Sequence, residues 1–147
     1  MVYNSVNNRL YCATYADTLL VIDPVEMVIT DTIPIRDWVI DMMLDSIASK
    51  LYLVFEYQDC VQIVDCQTNR IAGEITVYGG PSRFAFSPPN RRMYVAAPLN
   101  GAVAVIRDST VVGTTEQQVV TGRHKLIPTV VRNHLIISLG YHSDAGF

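Results

Sequence analysis

Lysine is scarce in this sequence, and long apolar runs are missing. Lys50 and Lys125 are the only lysines among 147 residues, the nine arginines are scattered, and the formal net charge is -3. Nucleic-acid binding normally needs a basic stripe along the phosphate backbone, so a nucleic-acid partner is not expected. No run approaches the roughly 20 apolar residues of a membrane span, and no signal-peptide core opens the chain. We therefore expect a soluble chain without a membrane span.

Cysteine and histidine are also few, with three residues of each. Cys12, Cys60 and Cys66 lack C-x-x-C spacing, which predicts small apolar fillers rather than a disulfide framework or a zinc site. The histidines have no metal-ligand spacing, no serine has a G-x-S-x-G setting, and no glycine-rich loop precedes a helix. The residues show no catalytic constellation, and no cofactor is predicted.

In place of helical periodicity, the chain shows a repeat of about 42 residues, which is within the range of known repeat architectures. Tyr11, Tyr52 and Tyr94 recur at this interval, with one residue fewer between the first two than between the last two. The same interval separates three β-branched residues, Val21, Ile63 and Val105. Each repeat carries four short runs of strand character separated by turn residues. The clearest copy predicts strands at residues 51–56, 60–65 and 70–77, and the next copy opens with a strand at 83–87.

The predicted strand at 60–65 is apolar on both sides, which indicates a strand buried on both faces. An isolated four-stranded sheet would expose both apolar faces, whereas sheets stacked around an axis cover one another. Four antiparallel strands in a unit of about 42 residues are typical of a propeller blade. The sequence therefore predicts an all-β fold made of β-propeller blades.

Three segments carry a resemblance to a known family. The chain resembles the YVTN-type β-propeller repeat at Arg9–Ala13, at residues 20–23 and at residues 32–35. In that repeat, a basic-Leu-Tyr-Val strand is followed by a Val-Ile-Asp strand and a Thr-Ile-Pro strand. The resemblance covers residues 3–112 well and 119–147 weakly. It implies a cell-surface, secreted or periplasmic protein, although no signal peptide is recognisable, so the compartment is not predicted.

The repeat predicts one domain over residues 1–147 with about three and a half blades. The blades fall at approximately residues 3–37, 38–79 and 80–121, with a partial blade at 122–147. Such a chain cannot close a ring with all its blades complete, and an open end would expose an apolar face and unpaired edges. We expect either self-association that completes the ring or a longer parent chain.

In a propeller, the loops that enter the innermost strands and those between the second and third strands gather on one face around the axis. We predict ligand or partner binding there by seven residues: Trp38, Asp37, Asp41, Arg83, Arg123, Lys125 and Tyr57.

Two groups within that set have alternative interpretations. Asp41, Arg83 and Lys125 share one repeat position, and would form either a ring that orients a polar ligand or ion pairs between neighbouring blades. Trp38 replaces a glycine of the repeat, as Asp37 does. It would either anchor a peptide or sugar or pack against the adjacent loop.

Three functions are compatible with these residues. The first is a non-catalytic propeller segment that presents axial loops to a protein or glycan partner. The second, implied by the resemblance, is a lactonase-like hydrolase or quinoprotein-like dehydrogenase with an axial metal or cofactor, for which Asp37 or Asp41 would be a ligand. The third is an architectural module of a larger repeat protein.

Overall fold

The computed structural model describes residues 1–90, 92–107, 116–120, 130–131 and 134–135, with side chains for 1–90 and 92–107. These residues form three four-stranded antiparallel sheets and one two-stranded sheet, and the strand order within each sheet follows the chain. The first sheet contains β1 (Val2–Asn4), β2 (Arg9–Ala13), β3 (Thr18–Asp23) and β4 (Val28–Pro34). The second contains β5 (Asp41–Asp45), β6 (Lys50–Phe55), β7 (Cys60–Asp65) and β8 (Arg70–Thr76). The third contains β9 (Arg83–Ser87), β10 (Arg92–Ala97), β11 (Ala102–Arg107) and β12 (Glu116–Val120), and the last pair is β13 (Val130–Val131) and β14 (His134–Leu135).

The predicted all-β architecture is confirmed. The four strands predicted from the second repeat agree with β6, β7, β8 and β9 to within one residue at each end. The helical residues of the described chain are two single 3-10 turns, Pro88–Asn90 and Pro98–Asn100. Among the described residues, none belongs to a helix with the length and hydropathy of a membrane span.

The turns repeat as regularly as the strands. Six residues other than glycine have a positive φ, and they fall at matching positions of successive repeats: Asn8 and Ser49, Asp17 and Asp59, Met27 and Asn69. Residues with a side chain seldom adopt this left-handed conformation. Its recurrence at the interval of the sequence repeat among the described residues therefore indicates that the same turns close the first and second sheets.

Aspartates at the ends of β3 and β7 form Asx-turns. Asp23 Oδ1 accepts the backbone N–H groups of Val25 and Glu26 at 2.9 and 3.1 Å, and Asp65 Oδ1 accepts those of residues 67 and 68 at 2.7 and 3.2 Å. β10 and β11 form a hairpin whose loop is the 3-10 turn Pro98–Asn100, and this turn ends at Gly101, which has a positive φ.

The second sheet is buried on both faces, and β6 shows this most clearly. Its odd-numbered residues pack against the first sheet and its even-numbered residues pack against the third. The former are Leu51, Leu53 and Phe55, and the latter are Tyr52 and Val54. In β7, Val61 belongs to the core shared with the third sheet and Val64 to the core shared with the first. The expectation of a strand buried on both faces at 60–65 is confirmed.

Polar bonds reinforce the junction between the first two sheets. Asn7 Nδ2 donates to the Tyr11 hydroxyl and to the Cys66 carbonyl, both at 3.0 Å. The Tyr11 hydroxyl lies 3.3 Å from the same carbonyl and 3.1 Å from Asn69 Oδ1. Burial raises the pKa of Tyr11 to about 12, so this hydroxyl keeps its proton. All three cysteines are free thiols, as the spacing predicted.

Candidate functional site

Loops that follow the second and fourth strands of the sheets lie at one end of the molecule, which we call the axial face. Backbone bonds tie these loops together in the first and second sheets. Ile35 donates to the Asp17 carbonyl at 2.9 Å, and Val77 donates to the Asp59 carbonyl at 2.7 Å. The innermost strands β1, β5 and β9 contact one another in turn. The loops therefore surround the line along which the sheets meet.

Between the second and third sheets, the axial face is tightly closed. Asp59 Oδ1 accepts the backbone N–H groups of Gly79 and Gly80, both at 3.0 Å. A Cβ atom at Gly79 would lie 2.6 Å from Asn100, and one at Gly80 would lie 2.9 Å from Leu99. Both glycines have positive φ, so this junction needs residues without side chains.

Between the first and second sheets, where Trp38 replaces the glycine, a cavity of about 270 Å³ remains open. We call it the axial cavity, and it is lined by Met1, Ala13, Thr14, Tyr15, Trp38, Val39, Ile40, Asp41 and Met42. Trp38 is 48% exposed, and its ring lies 5.5 Å from that of Tyr15 with an angle of 55° between the planes. Trp38 thus packs against the adjacent loop, as one interpretation of the sequence expected, and the rest of its ring surface is exposed to solvent.

Asp37 fixes the backbone beside this tryptophan. Its Oδ1 accepts the N–H of Trp38 at 2.7 Å, and its Oδ2 accepts the side-chain amide of Gln58 at 3.1 Å. These two bonds, the backbone bond first, hold the pKa of Asp37 below its ordinary value. The Asp37–Gln58 bond also joins the Trp38 loop to the loop that carries Tyr57.

Asp41 and Arg83 approach one another across the junction of the second and third sheets, as their shared repeat position predicts. Asp41 Oδ2 accepts the N–H of Phe84 at 2.9 Å, and Arg83 Nη1 donates to the Ile40 carbonyl at 3.1 Å. Each side chain therefore bonds to the backbone of the neighbouring sheet, in place of the ion pair considered from the sequence. Arg123 and Lys125 lie outside the described residues.

Large apolar side chains stand at the tips of the loops between the second and third strands. Tyr15, Tyr57 and Leu99 are 86%, 79% and 80% exposed, and they occupy the same position of three successive repeats. The sequence interpretation selected Tyr57 alone from this set. The repeat interval itself was the signal that could have identified Tyr15 and Leu99.

Carboxylates on the axial face do not form a cluster of metal ligands in the described part of the chain. Within residues 1–90 and 92–107, no three side chains of His, Cys, Asp or Glu converge to hold an ion. The face offers aromatic rings, carboxylates held by N–H donors, and two arginines. This chemistry suits recognition of a partner.

Known proteins share the fold of this chain. No protein-family model and no curated protein matches the sequence. Among solved structures, the β-propeller domain of Myceliophteria thermophila Cps50 (Swd1) has a TM-score of 0.66 and 12% identity, over 82% of this chain and 38% of that one. The chain has a β-propeller fold. Its three described four-stranded sheets are blades of the propeller.

Other propellers are similar to a comparable degree. Kuenenia stuttgartiensis hydrazine synthase has a TM-score of 0.64 and 19% identity, over 89% of this chain and 32% of that chain. Citrobacter koseri AztD has a TM-score of 0.59 and 16% identity, over 80% of this chain and 36% of that chain. The propeller segment therefore spans about a third of the length of these structures. At such identities the similarity concerns the fold alone.

Proposed function

We propose that this chain is a non-catalytic β-propeller segment, of the YVTN type it resembles, whose axial face binds a protein partner. The observation that carries the proposal is the exposure of Tyr15, Tyr57 and Leu99 at one repeat position of three successive blades. Contiguous exposed apolar surface on soluble proteins marks interaction sites. Tyrosine and tryptophan are also the residues that contribute most often to binding energy at protein interfaces.

These side chains belong to one connected rim, which we call the axial rim and define as Tyr15, Trp38, Tyr57 and Leu99. The Tyr15 and Trp38 rings contact each other, and the Asp37–Gln58 bond joins the Trp38 loop to the Tyr57 loop. Gly80, in the loop after β8, lies close to the side chains of both Glu56 and Leu99, so this loop connects the Tyr57 loop to the third blade. A partner that lies across the rim would contact all three blades.

The opposite end of the blades supplies a matched control. Ile47, in the turn after β5, is 74% exposed, which is close to the exposure of Tyr57 in the same blade. We expect wild-type protein to bind a subset of spots on a peptide array, Tyr57→Ser to lose most of them, and Ile47→Ser to retain them. A glycan array is probed in parallel, and unchanged melting temperatures show that both variants fold.

The proposal fails if Ile47→Ser loses the peptide spots while Tyr57→Ser keeps them, because binding would then occur at the other end. It also fails if glycans bind and peptides do not. In that case the glycan alternative would replace the protein partner.

A second function, blade completion in a larger assembly, is favoured by the uncovered face of the first blade. Leu10, Cys12, Leu20 and Ile22 are only half-buried there, whereas the residues matching Leu10 and Cys12 in the second blade, Leu51 and Leu53, are buried beneath the first blade. By the logic of the repeat, a further sheet would cover this face. That sheet would come from a second copy of the chain or from a longer parent chain.

Light scattering over a range of protein concentrations tests this second function. We expect association that Leu20→Lys abolishes, because the charge would be buried without a partner. A protein that stays monomeric at every concentration and melts cooperatively would contradict it.

The enzyme alternative, a lactonase-like hydrolase or a quinoprotein-like dehydrogenase, requires a metal or cofactor at the axial face. The carboxylates of Asp37 and Asp41 accept bonds from N–H groups, as loop carboxylates ordinarily do. Elemental analysis of the purified protein separates this alternative from partner binding. A stoichiometric divalent ion lost in Asp41→Asn would favour the enzyme.

A further inference from the structure

The axial cavity lies where the repeat changes, and two of its nine lining residues, Tyr15 and Trp38, are aromatic. Gly80, the residue that matches Trp38, sits close against Leu99 in the next junction, so a side chain at that position would have no room. At the first junction the Trp38 and Tyr15 rings stand 5.5 Å apart and are inclined by 55°. Rings at this distance and angle pack against each other. A group in the cavity would therefore meet the outer surface of this aromatic pair, including the exposed part of Trp38.

The side-chain charge of the cavity wall is negative. Asp41 is the one charged side chain among the residues that line the cavity, and the α-amino group of Met1 is the other charged group there. Its Oδ1 accepts the N–H of Met42 and its Oδ2 accepts the N–H of Phe84, both at 2.9 Å, so the carboxylate is held in place from both sides. A group bound in the cavity would meet this carboxylate and two aromatic faces together.

The rest of the described axial face is also acidic. Its loops and the adjoining ends of β5 and β9 carry five carboxylates, against the guanidinium groups of Arg36 and Arg83 and the α-amino group of Met1 at the cavity. Arg36 is paired with Glu74 at 2.9 Å, and Arg83 bonds to backbone carbonyls. The described surface around the cavity therefore favours a cationic group over an anionic one.

We propose that the axial cavity binds a lysine or arginine side chain of the protein partner, and that Tyr57 and Leu99 contact apolar residues of the same segment. This inference rests on the proposed function and adds the chemistry of the partner. A cation near the faces of Trp and Tyr rings is attracted by their electron density. The nearby carboxylate adds a Coulomb attraction that salt screens only partly at a half-buried site.

Paired peptides test the inference without knowledge of the natural partner. Each blocked, dye-labelled peptide has a leucine- and phenylalanine-containing sequence with a single arginine, and its twin carries neutral citrulline at that position. Binding is followed by polarisation of the dye and, in the wild type, by the emission of Trp38, the sole tryptophan. We expect saturable binding of the arginine peptide, and an affinity about tenfold lower for the citrulline twin.

Variants assign the two parts of the site. Asp41→Asn should weaken the arginine peptide several-fold and the citrulline peptide little, because the charge is lost. The asparagine amide can accept only one of the two N–H bonds, so the loss of the other appears in the melting temperature. Trp38→Gly, which installs the residue of the following repeat, should weaken both peptides and the arginine peptide more, because Trp38 also belongs to the axial rim. Leu99→Ser should weaken both peptides equally. Melting temperatures report whether each variant folds, and Trp38→Gly keeps the test decisive if Asp41→Asn does not fold.

Equal affinity for the two peptides of a pair would overturn the inference, and so would the absence of binding by both. If the inference fails but array peptides without a cation bind at the axial rim, the proposed function is still supported. If no peptide on the array binds and only glycans do, both the inference and the proposed function are wrong. The two failures are therefore distinguishable.

Discussion

Gly79 closes the axial face between the second and third blades, and adding one methyl group there tests that packing. Its φ is +99°, and a Cβ atom would lie 2.6 Å from Cγ and Nδ2 of Asn100 and 2.8 Å from its Cβ. A residue with a side chain held in such a conformation costs on the order of 1–3 kcal/mol. Overpacking against a fixed neighbour typically costs a further ~1–3 kcal/mol. We expect Gly79→Ala to lower the free energy of unfolding by about 2–6 kcal/mol.

Gly73 in β8 is the matched control. A Cβ atom there meets no atom within 4 Å, and its φ lies outside the positive range. Gly73→Ala should change the free energy of unfolding by no more than about 0.5 kcal/mol. Urea unfolding, followed by circular dichroism and Trp38 fluorescence, gives both values by linear extrapolation.

A double variant separates overlap from backbone strain. Truncating the neighbour in Gly79→Ala/Asn100→Gly removes the atoms that the new methyl group meets, so the overlap part of the loss should be recovered and the strain should remain. The reasoning is refuted if Gly79→Ala is no more destabilising than Gly73→Ala. It is also refuted if the double variant recovers nothing.

Three further predictions concern titratable groups. Tyr11→Phe should cost about 1–2 kcal/mol at neutral pH through lost hydrogen bonds. Because burial raises the Tyr11 pKa from 10.0 to about 12, wild-type stability should fall as pH rises between these values, and more steeply than that of the variant. At pH 8 a disulfide reagent should modify Cys12 quickly and the buried Cys60 and Cys66 slowly, since burial raises the pKa of Cys60 to about 11 and also raises that of Cys66. The N–H groups of Glu26 and Val25 hold the pKa of Asp23 below 3.8. The stability that the charged Asp23 contributes should therefore disappear as pH falls from 3.8 through the lowered pKa. Asp23→Asn should lose less stability over the same fall in pH.

Each of these predictions has a contrary outcome. Parallel alkaline profiles for wild type and Tyr11→Phe would show that the hydroxyl is not buried between blades. Equal rates for all three thiols would show that the cores around Cys60 and Cys66 are open. If the stability of Asp23→Asn falls with acid as steeply as that of the wild type, the Asx-turn does not lower the pKa of Asp23.

The strands were predictable because the repeat encodes them directly. The repeat interval between Tyr52 and Tyr94 identifies equivalent strands, and the apolar residues on both sides of 60–65 indicate a sheet covered on both faces. Both signals depend on local pattern and solvent exclusion, which a sequence displays. The left-handed turns at Ser49 and Asn69 carry no such signal, because neither residue type requires a positive φ.

The candidate site was predictable in location but not in detail. Repeat position placed Asp41 and Arg83 close together, yet it did not show that each would bond to backbone. Trp38 was identified as a departure from the repeat, whereas its contact with Tyr15 depends on a side-chain rotamer chosen by the surrounding loops. The axial cavity results from that rotamer and could not be inferred from spacing.

Nuclear magnetic resonance of the protein with the array peptide that binds most strongly tests the central claim most directly. The account predicts that the peptide shifts the signals of Tyr15, Trp38, Tyr57 and Leu99, and leaves those of the turn at Ile47 unchanged. Shifts confined to Leu10, Leu20 and Ile22 would contradict it, because the peptide would then occupy the uncovered face of the first blade.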